Sequence, residues 1–104
     1  MHRVAFKMKL FKGEEDEYKK RHDEIWDELK ELLKQSGIND YSIFLDETTN
    51  DLIGYFTIDD AKKLDELRNG PVMKEWWAYM KDLMETNGND SPISVPLKEV
   101  FYLR

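Results

Sequence analysis

The stretch Tyr18-Lys-Lys-Arg-His22-Asp-Glu-Ile-Trp26 sets one imidazole between a phenol a helical turn before it and an indole a turn after it. At about 100° per residue, Tyr18, His22, Ile25, Trp26, Leu29, Leu32 and Leu33 fall on one arc of roughly 120°. A stripe of that width faces a core, and His22 stands near its middle, where an aliphatic side chain packs better. Two readings are open. One is a core histidine whose ring is satisfied locally. The other is a proton-transfer group at the floor of a pocket with aromatic walls, since an imidazole with a pKa of about 6.5 both gives and takes a proton near neutrality.

Other residues bear on the choice. Trp76 and Trp77 are adjacent, so on a helix their side chains leave about 100° apart. Either one is buried and the other covers a rim, or the pair forms two walls of a cavity. An indole face stacks on the C–H face of a sugar ring while its N–H donates to a hydroxyl. Tyr18 shares the face of His22, and Tyr41 stands near the start of the central hairpin. Each tyrosine alone reads as structural. Two phenols, one imidazole and two indoles together make a polar-tipped aromatic cavity suited to a small neutral polyol. No Ser-His-Asp arrangement, Gly-x-Ser-x-Gly elbow, P-loop or dinucleotide fingerprint occurs.

The bulk numbers narrow the partners. With 104 residues, 40% apolar and 37% charged, the chain is expected to be one globular domain over 1–104. The net charge of −6, with no separate basic cluster, argues against nucleic acid and against anionic lipid. There is no cysteine and there are only two histidines, His2 and His22, so neither a disulfide framework nor a Cys- or His-rich metal site is expected. No signal-like or membrane-length apolar run is present, which gives a cytoplasmic protein as the expectation.

These groups need elements to hold them. Arg3–Phe11 alternates with period two and reads as a first strand, broken by Gly13. A helix is expected from about Glu14 to Ser36, with Glu15–Lys19, Asp16–Lys20 and Glu17–Arg21 as i, i+4 pairs that solvate a face, and Gly37 as its stop. Asp40–Asp46 and Leu52–Ile58 read as a hairpin. Asp59–Asn69 reads as a weak helix capped by Asp59 or Asp60. Pro71 opens a further helix that carries Met73, Trp76, Trp77, Met80, Leu83 and Met84 at helical spacing. Leu97–Leu103 reads as a last strand. The order β-α-β-β-α-β is the split βαβ arrangement, a four-stranded antiparallel sheet with helices on one face. Its other face is partly apolar, and a second copy is the simplest cover.

The chain as a whole resembles the L-rhamnose mutarotase family. The likeness rests on Y-K-K-R-H-D-E-I-W-D-E-L at Tyr18–Leu29, D-Y-S-I-F-L-D at Asp40–Asp46, W-W-A-Y-M at Trp76–Met80, N-D-S-P at Asn89–Pro92 and E-V-F-Y-L at Glu99–Leu103. It implies a dimeric ferredoxin-like α+β fold, an αβ-barrel type of assembly, and an isomerase that interconverts the α and β anomers of L-rhamnose by acid/base ring opening and closure. It also implies no cofactor and a place in cytoplasmic rhamnose catabolism. By motif, His22 corresponds to the proton donor, and Tyr18, Tyr41, Trp76 and Trp77 to sugar contacts. The motif departs at Asp27, where the family has proline, and at Asn87–Pro92, where it has Asn-Pro-Asp-Asn-Ser-Pro. The competing class on this fold is a non-enzymatic module, for instance one holding haem by a helix histidine, which a Soret band on haem addition would reveal. A purely structural dimer is the third reading.

Overall fold

The computed structural model describes residues 1–104, in the order β1 (His2–Lys9), α1 (Glu15–Asp23), α2 (Asp27–Gln35), β2 (Ile38–Asp46), β3 (Asp51–Ile58), α3 (Lys62–Asn69), α4 (Pro71–Met80) and β4 (Val95–Leu97). The strands form one antiparallel sheet in the order β2-β3-β1-β4. The alternation read from the sequence decides its faces. Val4, Phe6 and Met8 lie opposite Phe56, Gly54 and Leu52, and with Ile38, Ile43 and Leu45 they turn toward the helices. Leu29, Leu67, Trp76 and Met80 supply the helical side of the core. No helix is long and apolar enough to cross a membrane.

The expected helix over 14–36 is two helices. Trp26 is extended (φ −58°, ψ 134°) and α2 restarts at Asp27, with Asp27 and Glu28 in its first turn, where the helix dipole favours acids. An unbroken helix over 14–36 would run roughly 35 Å, against a longest molecular extent of 36 Å. The break folds that length onto a sheet of eight- and nine-residue strands. It also lets Ile25 and Trp26 pack into the core.

β2 starts earlier than expected and contains a bulge. Asn39 pairs with Thr57 and Ser42 with Tyr55, so three steps on β2 oppose two on β3. Asp40 takes φ 54° there, a left-handed conformation that Asp tolerates better than most residues. The extra residue restores parity: Ile38 and Tyr41 both face inward although they are three apart. On β3, Gly54 lies opposite Phe6, whose ring fills the space where a Cβ would stand. The ring therefore lies close over the sheet and meets Tyr41 and Phe56 edge-on.

α3 is shorter than expected: it starts at Lys62 with Ala61, not Asp59 or Asp60, at the N-cap, and Asp60 Oδ1 accepts the Lys62 N–H from the preceding turn at 3.0 Å. The predicted strand Leu97–Leu103 forms only as Val95–Leu97. The register sets Val95 opposite Lys7 and Leu97 opposite Ala5, and the ladder with β1 ends there. Beyond β4 the chain is held by Arg3, which grips Glu99 through Nε at 2.6 Å and Nη2 at 2.9 Å. The same guanidinium stacks on Tyr102 with its carbon 3.6 Å from the ring centroid.

Candidate active site

Between the helices and the inner face of the sheet lies a half-open cavity of about 1250 Å³, larger than the roughly 300–1,000 Å³ of ordinary small-molecule sites. Tyr18, His22, Tyr41, Trp76 and Trp77 all line it. α1 supplies Tyr18 and His22, the bulged strand β2 supplies Tyr41, and α4 supplies the two indoles.

His22 is half-buried. Its ring packs on Tyr18 with centroids 4.4 Å apart and meets Trp76 edge-on at 5.4 Å and 87°. Its Nδ1 lies 3.1 Å from the Tyr18 carbonyl oxygen. A carbonyl only accepts, so Nδ1 carries the proton and donates, leaving Nε2 with the lone pair. Desolvation holds the His22 pKa below its ordinary value, with the Tyr18 carbonyl and the Asp23 carboxylate pulling the other way. The resting ring is therefore neutral at pH 7.

The phenols shift in the opposite sense. Burial raises Tyr18 well above the ordinary range, with a further push from Tyr41. Tyr41 is 41% exposed as a residue, but its ring lies 5.2 Å from Phe56 and 6.4 Å from Phe6. Desolvation pushes it up to about 12, with Arg68 pulling down. Both remain protonated at neutral pH and can donate to hydroxyls.

The tryptophan doublet divides its work. Trp76 is 7% exposed and belongs to the main core cluster, and its ring contacts His22, Trp26 and Tyr79. Trp77 is only half-buried and packs at the edge of that core. One indole thus serves core and cavity together, while the other forms a wall.

Sequence reasoning missed three contributors. Trp26 was read as core stripe, but it stands edge-on to Trp76 at 5.1 Å and lies 5.5 Å from Tyr79. Tyr79 falls outside the spacing of the α4 stripe. Arg21 was read as half of a solvated surface pair. That pair forms at 2.8 Å, yet the Arg21 side chain is only 13% exposed and also reaches α4. The expected Glu15–Lys19 and Asp16–Lys20 pairs are not among the ion pairs. Lys19 bonds Asp23 instead, at 2.7 Å, and Glu15 accepts from the Gly13 N–H at 3.2 Å.

A four-stranded antiparallel sheet with helices on one face defines a ferredoxin-like α+β protein, here with a ring-lined cavity between the two layers. A dimeric ferredoxin-like protein from an uncultured marine organism shares the fold alone, with a TM-score of 0.54 at 15% identity over 97% of this chain and 96% of that one. Closer relatives go further. The family model for L-rhamnose mutarotase matches residues 3–103. The L-rhamnose mutarotase of Lachnoclostridium phytofermentans is 52% identical over 99% of each chain. The crystal structure of an L-rhamnose mutarotase from Formosa agariphila superposes with a TM-score of 0.92 at 47% identity, covering all of both chains. This chain belongs to the L-rhamnose mutarotase family.

Proposed function

We propose that the protein is an isomerase that exchanges the α and β anomers of L-rhamnopyranose, with His22 as the proton carrier. One observation carries the mechanism: Nδ1 is tied to the Tyr18 carbonyl, so a neutral imidazole with its lone pair on Nε2 lines a half-open cavity among aromatic rings. The Nε2 lone pair takes the proton of the anomeric hydroxyl. As C1=O1 forms and the C1–O5 bond breaks, the imidazolium delivers that proton to O5. The aldehyde then rotates and the steps run in reverse on its other face. O1 and O5 share one carbon, so one imidazole serves both ends of the transfer. Trp76 and Trp77 hold the apolar face of the sugar, and Tyr18 and Tyr41 donate to its hydroxyls.

Saturation transfer between anomeric protons of L-rhamnose and a panel of other aldoses tests this. L-Rhamnose is expected to exchange fastest. The enzyme-dependent kcat/KM is expected to hold steady above pH about 6.5 and to fall as acid protonates His22, because the base form is the active one and its pKa is lowered, not raised. Enzyme-dependent exchange that strengthens as pH falls through that range contradicts the scheme.

A second copy covering the outer sheet face completes the proposal. Ala5, Phe44, Ile53, Tyr55, Val95 and Leu97 share that face by register, and Phe44 is 64% exposed, an apolar row that pairing of two sheets would remove from water. Sedimentation at micromolar concentration is expected to give the dimer mass. A stable monomer would remove this part of the proposal.

A further inference from the structure

α1 carries both Tyr18 and His22, yet little fastens it. It spans nine residues, of which only Tyr18 is buried, and the extended backbone at Trp26 uncouples it from α2. Its orientation depends on ties to the elements beside it, and the most extensive polar tie is Arg21. The Arg21 Nη1 donates to the Tyr79 carbonyl oxygen at 2.7 Å and to Asp82 Oδ1 at 2.9 Å, and Nη2 reaches Asp82 Oδ2 at 3.2 Å. Nε donates to Glu17 at 2.8 Å. The Tyr79 carbonyl belongs to the last turn of α4, where carbonyls lack intrahelical partners and a cation is favoured.

The same guanidinium lies over the Tyr79 ring, its carbon 4.5 Å from the centroid. Tyr79 packs on Trp76 at 5.7 Å, and Trp76 stands edge-on to His22 at 5.4 Å. The fork at Arg21 and the ring contact at His22 therefore both join α1 to α4. We infer that Arg21 is a positioning residue: it locks α1 against the C-terminal turn of α4, so that His22 keeps its orientation against Trp76 and Nε2 stays aimed into the cavity. The inference rests on His22 being the proton carrier. Lysine has one nitrogen where this grip uses three, so it replaces the fork only in part.

The test uses the full chain with Arg21→Met, Arg21→Lys and Asp82→Asn. Two readouts are taken: L-rhamnose anomer exchange, and the NMR shifts of the His22 ring protons, which feel the ring currents of Trp76 and Tyr18. Arg21→Met is expected to lower kcat by about 10²-fold, the cost of misplacing a reacting group by about an ångström, with KM within ~3-fold. The His22 shifts should move toward those of an unpacked histidine, and Arg21→Lys should recover part of both effects. Asp82 has a side chain 61% exposed, so Asp82→Asn leaves the core alone. It should shift both readouts in the same direction by a smaller amount. Unchanged kcat and unchanged His22 shifts in Asp82→Asn and Arg21→Met overturn the inference, as does a loss confined to melting temperature. Should Arg21→Met fail to fold, Asp82→Asn decides alone. If instead His22→Asn leaves exchange intact, the proton-carrier reading fails, while the ring-proton shifts still report whether Arg21 sets the imidazole.

Discussion

Replacing His22 by Asn is expected to slow anomer exchange of L-rhamnose by about 10²–10⁴-fold while binding weakens only modestly. The geometry explains the asymmetry. His22 Nδ1 already donates to the Tyr18 carbonyl, and an asparagine amide preserves that donor on a shorter side chain while removing the titratable Nε2. The cavity walls formed by Trp76, Trp77, Tyr18 and Tyr41 stay. A residue that merely contacts the sugar would lose rate and affinity in step. Exchange rates and KM from saturation transfer separate the two, and equal losses would make His22 a contact residue rather than a carrier.

Trp76→Ala is expected to cost about 3–5 kcal/mol of stability, the usual price of emptying a large aromatic site in a core. Trp76 is 7% exposed and touches the rings of His22, Trp26 and Tyr79, so the void cannot close without shifting the imidazole. For a chain of this size each kcal/mol is worth roughly 4–8 °C in melting temperature. A fall of 10 °C or more should accompany loss of exchange. Trp77→Ala makes the contrast. That side chain is half-buried at the cavity wall, so its loss should raise KM with a much smaller change in melting temperature. Thermal unfolding of the two variants side by side checks the division of labour, and equal melting shifts would refute it.

Much of this site is legible in the residues. The period-two patterns at Val4–Leu10 and Leu52–Ile58 report which side chains face the helices. Gly70-Pro71 marks where α4 begins, and helical spacing brings Tyr18 and His22 to one face. The family motifs name the five cavity residues, and the fold brings all five to one hollow. What stayed hidden depends on distant parts of the chain. Glu24-Ile25-Trp26 continues the helical spacing of its neighbours, so nothing local announces the break there; the finite width of the sheet does. The bulge at Asp40 left a trace in the Asn39-Asp40 pair, two residues tolerant of left-handed backbone, and in the odd spacing between Ile38 and Tyr41.

The C-terminal strand was over-read for a related reason. Leu97–Leu103 alternates well, but alternation alone does not hold a strand to a sheet: the ladder with β1 ends at Leu97, and beyond it Arg3 takes Glu99 by its side chain. Arg21 was under-read because a Glu17–Arg21 pair is a sufficient local account of an arginine. Only the placing of α1 beside α4 shows that Asp82 and the Tyr79 carbonyl both accept from the same fork. A neutral histidine was likewise out of reach of spacing alone, since it depends on how far Trp76 and Tyr18 exclude water from the ring.

The proposed proton transfer depends on a neutral His22, and titrating that residue tests it most directly. The ring protons of His22 are followed by NMR against pH, and the enzyme-dependent exchange of L-rhamnose anomers is measured over the same range. The expected result is a His22 pKa below about 6.5 that coincides with the acid limb of kcat/KM, the imidazole losing its base form and the reaction losing its carrier together. A His22 that titrates above that value, or an acid limb at a different pH from the ring's own titration, would contradict the claim that a neutral imidazole moves the proton.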